Sequence, residues 1–351
     1  MKTYKVIGLM SGTSLDGVDI AYCEFGLNDN KWSFEIGAAE TMAYSNEWIK
    51  NLGGLPQKSA EELLKYDIRY GSYLGELVNS FAGRNKVQAD LIASHGHTIF
   101  HQPENKFTYQ LGNGQALAKQ TGLKAVSDFR SKDVLYGGQG APLVPIGDEL
   151  LFGSYAGCLN LGGFSNLSYR IYNKRIAYDI CTVNMALNHI SRMMGHDYDE
   201  DGKLAASGKT EQALLNALNA TDFYKLNGPK SLGREWFLKE FLPLFENTGL
   251  QPNNLMRTMT EHIAIQISKA INRVRGKILI TGGGALNKFL IARIRSLSAN
   301  ELEIPDETLV SYKEALVFAL LGVLRIRNEV NCLASVSGAS MDTVCGTIHI
   351  P

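Results

Sequence analysis

The two halves of this chain open in the same way, and this echo constrains the fold more than any other feature of the sequence. A short apolar run at residues 4–9, a turn of small residues and a second apolar run at 18–25 begin the first half. Residues 157–160, a Gly-Gly turn and further runs at 167–171 and 175–179 begin the second half. Short apolar runs joined by small residues are typical of strand, turn and strand. The repetition therefore predicts two structurally duplicated lobes.

Helical and extended patterns alternate after these openings. Apolar residues at helical spacing predict helices, and short buried runs predict strands. The predicted helices cover residues 60–81, 115–122, 255–274, 287–297 and 314–328, and the predicted strands 89–94, 124–126 and 277–280. This alternation predicts an α/β fold in which each lobe is a mixed sheet flanked by helices.

Glycine and proline are concentrated at residues 136–145, where no helix or strand can persist. We therefore expect the lobes to join directly after this segment. The predicted lobes are residues 1–145 and 146–351, and the final helix could pack back on the first lobe.

Composition narrows the expected partners and the expected compartment. The chain has 35 basic and 35 acidic side chains, so no net charge attracts it to nucleic acid or to a membrane surface. A small molecule is the expected partner. No apolar stretch approaches ~20 residues, and the N-terminal apolar run is broken by polar residues and glycine, so neither a membrane span nor a signal peptide is expected. Five scattered cysteines without C-x-x-C spacing predict reduced thiols in the cytoplasm.

Two groups of side chains have the composition of metal ligands without the spacing. His95, His97 and His101 match no standard zinc pattern, so a metal site is not expected there, and His95 and His97 could be either structural histidines or substrate contacts. The acidic residues at 197–201 lack the glycine and the terminal glutamate of a calcium-binding loop, which favours a solvated loop. The sequence leaves the identity of any metal ligand unknown.

Three glycine-rich turns could carry chemistry. The first, GLMSGTSLDGVD at 8–19, offers backbone amides, hydroxyls and two carboxylates that can cradle a phosphate, although it could also be an ordinary hairpin. It is neither a Walker nor a Rossmann motif. The second, LGGFSN at 161–166, and the third, TGGGALN at 281–287, could each be purely structural when taken alone. Their order, two hairpin turns and then a strand, a glycine turn and a helix, suits a nucleotide clamped between two lobes.

This order resembles the actin-like and hexokinase-like ATPase superfamily, whose two hairpins hold the triphosphate and whose late glycine turn holds the adenosine. The resemblance implies two duplicated actin/hexokinase-like lobes with the nucleotide cleft between them. It implies ATP contacts at Gly12, Thr13, Ser14, Leu15, Asp16, Gly17, Val18, Asp19, Gly162, Gly163, Gly282, Gly283 and Gly284.

Within that superfamily, the sequence resembles the anhydro-N-acetylmuramic acid kinases over essentially the whole chain. The matching blocks are GLMSGTSLDGVD (8–19), SHGHT (94–98), QLGNG (110–114), VSDFR (126–130), GGQGAPLVP (137–145), NLGGFSN (160–166) and TGGGALN (281–287). The resemblance implies an enzyme that opens the 1,6-anhydro bond of a murein-derived amino sugar with water and transfers the γ-phosphoryl group of ATP to O6. It also implies a homodimer.

The family places a catalytic aspartate just past the second hairpin in a D-x-x-x-x-N segment, where this chain has Asp179 and Asn184. The resemblance implies that Asp179 deprotonates the attacking water and that Asn184 shapes the loop. The residues themselves place Asp179 between an apolar strand and a helix, a position at which aspartate also serves as a helix N-cap. Residues 180–183 read Ile-Cys-Thr-Val where the family commonly has Thr-Gly-Pro-Gly.

The resemblance also implies a sugar-binding set and a metal cofactor. The sugar-binding positions are Thr98, Asp128, Arg130 and Glu314. Arg130 suits a lactyl carboxylate, although it could instead pair with Asp133. Phosphoryl transfer implies Mg²⁺ together with ATP, and Asp16 or Asp19 could position the ion through water.

Other functions stay open at this point. A paralogue of the same fold could act on another amino sugar, and a non-catalytic relative could only bind sugar or nucleotide, because residues 180–183 depart from the family pattern. A conformational switch, chaperone or filament protein of this fold would carry large insertions or a client-binding domain. None is evident in 351 residues.

Overall fold

The computed structural model describes residues 2–12, 15–226 and 230–351. The chain forms two compact units, one made of Met1–Phe152 with Tyr312–Pro351 and the other of Gly153–Ser311. The junction inferred from the sequence lies after Pro145, and the structure moves it to Phe152. The reason is that the helix following Pro145 stays with the first unit, where Phe152 packs edge-on against Phe34 with ring centroids 5.4 Å apart. The segment from Tyr312 onward belongs to this unit as well.

The described residues form both strands and helices. The strands are β1 (Lys2–Ser11), β2 (Gly17–Asn28), β3 (Lys31–Ala43), β4 (Leu91–Gln102), β5 (Phe107–Leu111), β6 (Lys124–Ser127), β7 (Gly157–Leu161), β8 (Phe164–Ile171), β9 (Lys174–Thr182), β10 (Lys277–Thr281), β11 (Glu301–Glu303) and β12 (Thr347–His349). The α-helices are α1 (Asn46–Gly54), α2 (Ala60–Asn85), α3 (Gly114–Thr121), α4 (Ser131–Leu135), α5 (Pro145–Leu151), α6 (Asn184–Met193), α7 (Lys203–Ser207), α8 (Gln212–Asn219), α9 (Arg234–Trp236), α10 (Pro252–Ile271), α11 (Lys288–Leu297), α12 (Glu307–Arg327) and α13 (Ala334–Ser337). Short 3₁₀ helices lie at Leu55–Gln57, Pro103–Asn105, Glu200–Gly202, Asp222–Lys225, Leu242–Leu244 and Gly283–Leu286, and a π-helical turn lies at Phe237–Phe241.

Each unit contains one mixed sheet built to a similar plan. In the first unit the strand order is β12-β6-β4-β1-β2-β3 with β5 beside β4, and in the second it is β11-β10-β7-β8-β9. Both sheets start with an antiparallel three-stranded meander, β1-β2-β3 or β7-β8-β9, and continue with parallel strands on the side of the first strand. The predicted α/β class with two mixed sheets flanked by helices is confirmed.

Burial explains why these segments form strands and helices. The central strand β1 is buried from Val6 to Leu9, as expected for a strand that has parallel pairing and helices on its faces. The long helix α2 begins with a capping box in which Ser59 and Glu62 satisfy each other's backbone amides. Each unit has its own apolar core.

The predicted helices and strands are present, with shifted ends. The helix predicted at 314–328 begins at Glu307 as α12 and is followed by the short helix α13, and the strand predicted at 89–94 runs on to Gln102 as β4. The strand β3 was not predicted. Within the described ranges, no helix combines the length and hydropathy needed to cross a membrane.

Candidate functional site

The first glycine turn joins β1 to β2. Gly12, Leu15 and Asp16 lie in the turn, and Gly17 and Val18 begin β2, whereas the predicted contacts Thr13 and Ser14 fall outside the described residues. Leu15 adopts a positive φ of 62°, which is uncommon for a branched side chain. A Cβ on Gly17 would lie 2.5 Å from the backbone oxygen of Met42, so β3 requires glycine at this position. These contacts fix the path of the chain on leaving the turn.

Asp19 lies on β2, with neighbouring strands on both sides. It pairs with Met10 of β1 and with Thr41 of β3. The Thr41 hydroxyl donates to Asp19 Oδ1 at 2.6 Å. Burial raises the pKa of Asp19; the Thr41 hydrogen bond opposes this shift, and the nearby charge of Asp16 adds to it. A partly buried carboxylate that is repelled by another carboxylate is a setting that favours a bound cation.

Glu314, on α12, belongs to the same electrostatic neighbourhood of the first unit. Burial raises the pKa of Glu314, the charge of Asp19 raises it further, and Arg130 lowers it. The charges of Asp19, Glu314 and Arg130 therefore affect one another. The family resemblance had implied an ATP contact for Asp19 and sugar contacts for Arg130 and Glu314.

Arg130 is held rigidly and does not hydrogen-bond to Asp133. Its Nε and Nη2 point at His95 Nε2, at 3.0 and 2.8 Å, and its Nη1 donates to the backbone oxygen of Gly140 at 2.6 Å. Burial lowers the pKa of Arg130 to about 10, and Glu314 opposes that shift. The Asp133 carboxylate instead accepts from Gly140 N and from the side chains of Cys332 and Ser337.

The histidines have structural partners. Because His95 Nε2 accepts from Arg130, its Nδ1 carries the proton and donates to the Gly96 oxygen at 2.8 Å. His97 Nδ1 lies 3.0 Å from the Ser11 hydroxyl, and burial lowers the pKa of His97 to about 4. His101 contacts the Thr108 hydroxyl. In the part of the chain that the structure describes, no three His, Cys, Asp or Glu side chains form a metal-binding group.

Asp128 lines a cavity of the first unit, and Thr98 contacts Gln110 of the cavity wall. The cavity measures about 240 Å³, and its wall includes Asp128, Gln110 and His349. Asp128 adopts a positive φ of 59° directly after β6, and its carboxylate accepts from Ser131 N. Thr98 accepts from Gln110 Nε2 at 3.5 Å. Backbone strain of this kind is often retained where a side chain must face a ligand.

The second glycine turn is tied to the start of α6. Val183 N and Met185 N donate to the Gly163 oxygen, and Asn184 N donates to the Gly162 oxygen. The Asn184 side chain also donates to the Leu161 oxygen at 3.1 Å. Asn184 therefore shapes the turn that precedes it.

The third glycine turn packs against the second one. Gly282 adopts a φ of 83°, and a Cβ there would lie 2.5 Å from Asn160 Oδ1. A Cβ on Gly284 would lie 2.9 Å from the Leu161 side chain. Gly283 begins a 3₁₀ turn, after which Asn287 caps α11. The structure thus brings together the two turns of the second unit that the sequence assigned to the nucleotide.

Asp179 lies within β9, three residues before the strand ends at Thr182. Its Oδ2 accepts from Leu232 N at 2.7 Å and from the Ser231 hydroxyl at 3.3 Å. Burial raises the pKa of Asp179, and these two hydrogen bonds oppose the shift. The N-cap of α6 is Val183, so Asp179 is not a helix cap. The carboxylate is held in place by the segment 231–232.

Residues 180–183 need no glycine in this chain. They complete β9 and lead into α6, and all four side chains are buried. None of them has a positive φ. The Ser165 hydroxyl contacts the backbone of Cys181, which anchors the strand end.

Three partners of the predicted residues were missed from the sequence. Thr41 lies on β3, for which the alternating pattern at 31–43 could have provided a signal. Ser231 and Leu232 reach Asp179 from more than fifty residues away along the chain, and no local pattern marks them.

Comparisons with known proteins show what this chain is similar to. The family model described as anhydro-N-acetylmuramic acid kinase matches residues 4–351. The relatives carrying that name include those of Saccharophagus degradans, at 33% identity over 100% of both chains, and Sulfurimonas denitrificans, at 34% over 98% of both. The Pseudomonas fluorescens protein of that name is 35% identical over 98% of both chains. Among solved structures, the ROK hexokinase from Thermus thermophilus aligns with 91% of this chain and 99% of its own, at 13% identity and a TM-score of 0.39.

Proposed function

The chain belongs to the anhydro-N-acetylmuramic acid kinase family, and from this membership we propose that it is an ATP-dependent kinase of 1,6-anhydro-N-acetylmuramic acid. Water opens the 1,6-anhydro ring at C1, and the γ-phosphoryl group of ATP is transferred to O6. The products are N-acetylmuramic acid 6-phosphate and ADP, and the reaction serves murein recycling.

The setting of Asp179 is the observation that carries the catalytic part of the proposal. Leu232 N and the Ser231 hydroxyl both donate to Oδ2, and no described residue donates a hydrogen bond to Oδ1. Burial raises the pKa of Asp179, which makes its ionised form a stronger base. A carboxylate that is oriented through one oxygen and basic at the other suits the removal of a proton from water.

The proton and bond changes balance with a single base. Asp179 takes one proton from water as the water oxygen attacks C1, and the C1–O6 bond breaks. O6 needs no general acid, because it forms its new bond to the γ-phosphorus while the bridging oxygen leaves with ADP. The proton held on Asp179 is then released to solvent.

The other site residues are proposed in roles that follow their surroundings. Arg130 is fixed by His95 and Gly140 and would bind an anionic group of the sugar. Thr98, Asp128 and Glu314 would bind sugar hydroxyls or the acetamido group. The three glycine turns would bind ATP through backbone amides.

Mg²⁺ would be held on the first unit by Asp16 and Asp19. The repulsion from Asp16, which contributes to the raised pKa of Asp19, supports this assignment because a cation relieves it. When bound, the ion neutralises charge on the triphosphate. A homodimer is proposed on the family resemblance, and a cytoplasmic location on the five buried cysteines, none of which forms a disulfide in the described residues, as suits a reducing compartment.

The decisive experiment follows the purified chain with Mg·ATP and 1,6-anhydro-N-acetylmuramic acid in water enriched with ¹⁸O. We expect one ADP per phosphosugar, a phosphate on O6 and the label on the C1 hydroxyl. ATP hydrolysis that the sugar does not change, without a phosphosugar, would refute the kinase assignment. The same assay with a panel of other anhydro and free amino sugars tests whether the chain is a paralogue. A sugar phosphorylated faster than 1,6-anhydro-N-acetylmuramic acid would replace it as the proposed substrate.

A further inference from the structure

A cavity of about 400 Å³ lies in the second unit, beside the strands β8 and β9 and the C-terminal part of α10. Its apolar wall includes the rings of Tyr169 and Tyr178, which meet edge to face at 6.2 Å, together with Ile176 and Ile180. A volume of this size is typical of small-molecule sites. The glycine turns of the unit contribute none of its wall.

The charged side chains of this cavity are all basic. Lys225, Lys230, Lys269 and Arg273 line it, and no acidic side chain of the described residues does. Lys225 is neutralised by Asp222 at 2.7 Å. Among the described residues, Lys230, Lys269 and Arg273 form no ion pair with a carboxylate. Three uncompensated positive charges beside aromatic rings leave the cavity complementary to a dianion.

The basic groups are close enough to repel one another. Burial lowers the pKa of Lys230, and the charge of Arg273 lowers it further. Burial raises the pKa of Tyr178 to about 12, and the charge of Arg273 opposes this shift. The Lys230 ammonium lies 4.3 Å from the centre of the Phe223 ring and donates to the Phe223 oxygen. An anion placed among these groups would relieve the repulsion.

Lys230 also connects the cavity to Asp179. The Lys230 oxygen accepts from Asp179 N at 2.9 Å, and the next two residues, Ser231 and Leu232, donate to the Asp179 carboxylate. The same short segment therefore presents a cation to the cavity and holds the orientation of the carboxylate.

We propose that this cavity binds a small cyclic organic phosphate and that its occupancy stabilises the segment 230–232 against Asp179. The phosphate pairs with Lys230, Lys269 and the planar guanidinium of Arg273, whose fork suits phosphate oxygens. The ring of the ligand stacks on Tyr169 and Tyr178. Sugar phosphates and aryl phosphates share this chemistry, and the experiment distinguishes them.

The test measures binding of glucose 6-phosphate, phenyl phosphate and inorganic phosphate to the full chain by calorimetry, without ATP or amino sugar. Its outcome is therefore independent of the kinase reaction proposed above. We expect at least one cyclic phosphate to bind with a Kd of about 1 mM or below and more tightly than inorganic phosphate. The better of the two cyclic probes identifies the class of ring. Absence of saturable binding for both would overturn the proposal.

Variants locate the site. Arg273→Gln and Lys269→Gln should each raise the Kd about tenfold, whereas Arg295→Gln, an exposed arginine of the same unit on α11, should leave it unchanged. A non-hydrolysable ATP analogue should not displace the probe. Displacement by that analogue, or unchanged affinity in both cavity variants, would show that the anion binds elsewhere.

Hydrogen exchange tests the connection to Asp179. The bound probe should slow exchange of the amides of Asp179 and Leu232 several-fold in the unmodified chain and not in Arg273→Gln at the same probe concentration. Binding without any change at these two amides would refute the coupling.

Discussion

Asp19 and Asp179 invite comparison, because each lies on a strand of the antiparallel meander that opens its own unit. Burial raises the pKa of both carboxylates. They differ in the groups that lie next to each carboxylate. Asp19 has one hydroxyl donor, Thr41, and a second carboxylate, Asp16, nearby. Asp179 has two donors on a single oxygen, and no acidic neighbour contributes to its shift.

From this difference we propose different chemistry for the two aspartates. A carboxylate repelled by another carboxylate is stabilised by a cation, so Asp19 suits Mg²⁺. A carboxylate that is oriented by two donors, and whose basicity comes from burial alone, suits proton removal. Environments that separate the roles of two carboxylates in this way are a common basis for acid and base assignments.

The strongest test of the comparison is Asp179→Asn. The amide keeps the shape and one acceptor oxygen for Leu232 N, but it cannot take a proton from water. We expect kcat to fall about 10³-fold, the effect of losing a general base, with ATP binding unchanged. Asp197→Asn, an exposed aspartate of the same unit, is the matched control. Turnover within tenfold of the unmodified chain would remove Asp179 from the base role.

Asp19→Asn should act on the metal instead of the proton. We expect the Mg²⁺ concentration for half-maximal rate to rise about tenfold, because one charged partner of the hydrated ion is lost. Thermal stability without nucleotide should not fall, since the substitution removes repulsion on Glu314. Asp29→Asn, in the exposed turn after β2, controls for the loss of charge. An unchanged Mg²⁺ requirement would contradict the assignment.

The sequence was sufficient for the architecture because the fold is encoded locally. Apolar periodicity marked helices such as α2 and α10, and a small-residue turn marked the opening hairpin of each meander, whereas β3 was not predicted. The ends of elements were less predictable, since they depend on tertiary contacts. Phe152 shows this, because its ring contact with Phe34 keeps α5 in the first unit.

The candidate site was predictable only in part, for a related reason. Motif resemblance pointed to Asp179 and Arg130 as candidates, but it did not predict which residues hold them in place. His95 was left open between a structural and a substrate role, and the structure places it as the acceptor for Arg130. Ser231 and Leu232 reach Asp179 from beyond the helices α6, α7 and α8, more than fifty residues away along the chain. Partners brought together by tertiary folding leave no local trace in a single sequence.

The smallest expected effect concerns the orientation of Asp179. Ser231→Ala removes a donor that favours the ionised carboxylate, so the pKa of Asp179, already raised by burial, should rise further. Since the base must be ionised, the acid limb of the kcat profile should move to higher pH. We expect roughly threefold lower kcat on that limb and little change at pH 8, as the loss of one long hydrogen bond of about 0.7 kcal/mol predicts. Ser296→Ala, an exposed serine that bonds its own helix, should leave the profile unchanged. A shift of the limb in the opposite direction would mean that another group, and not Asp179, sets the acid side of the profile.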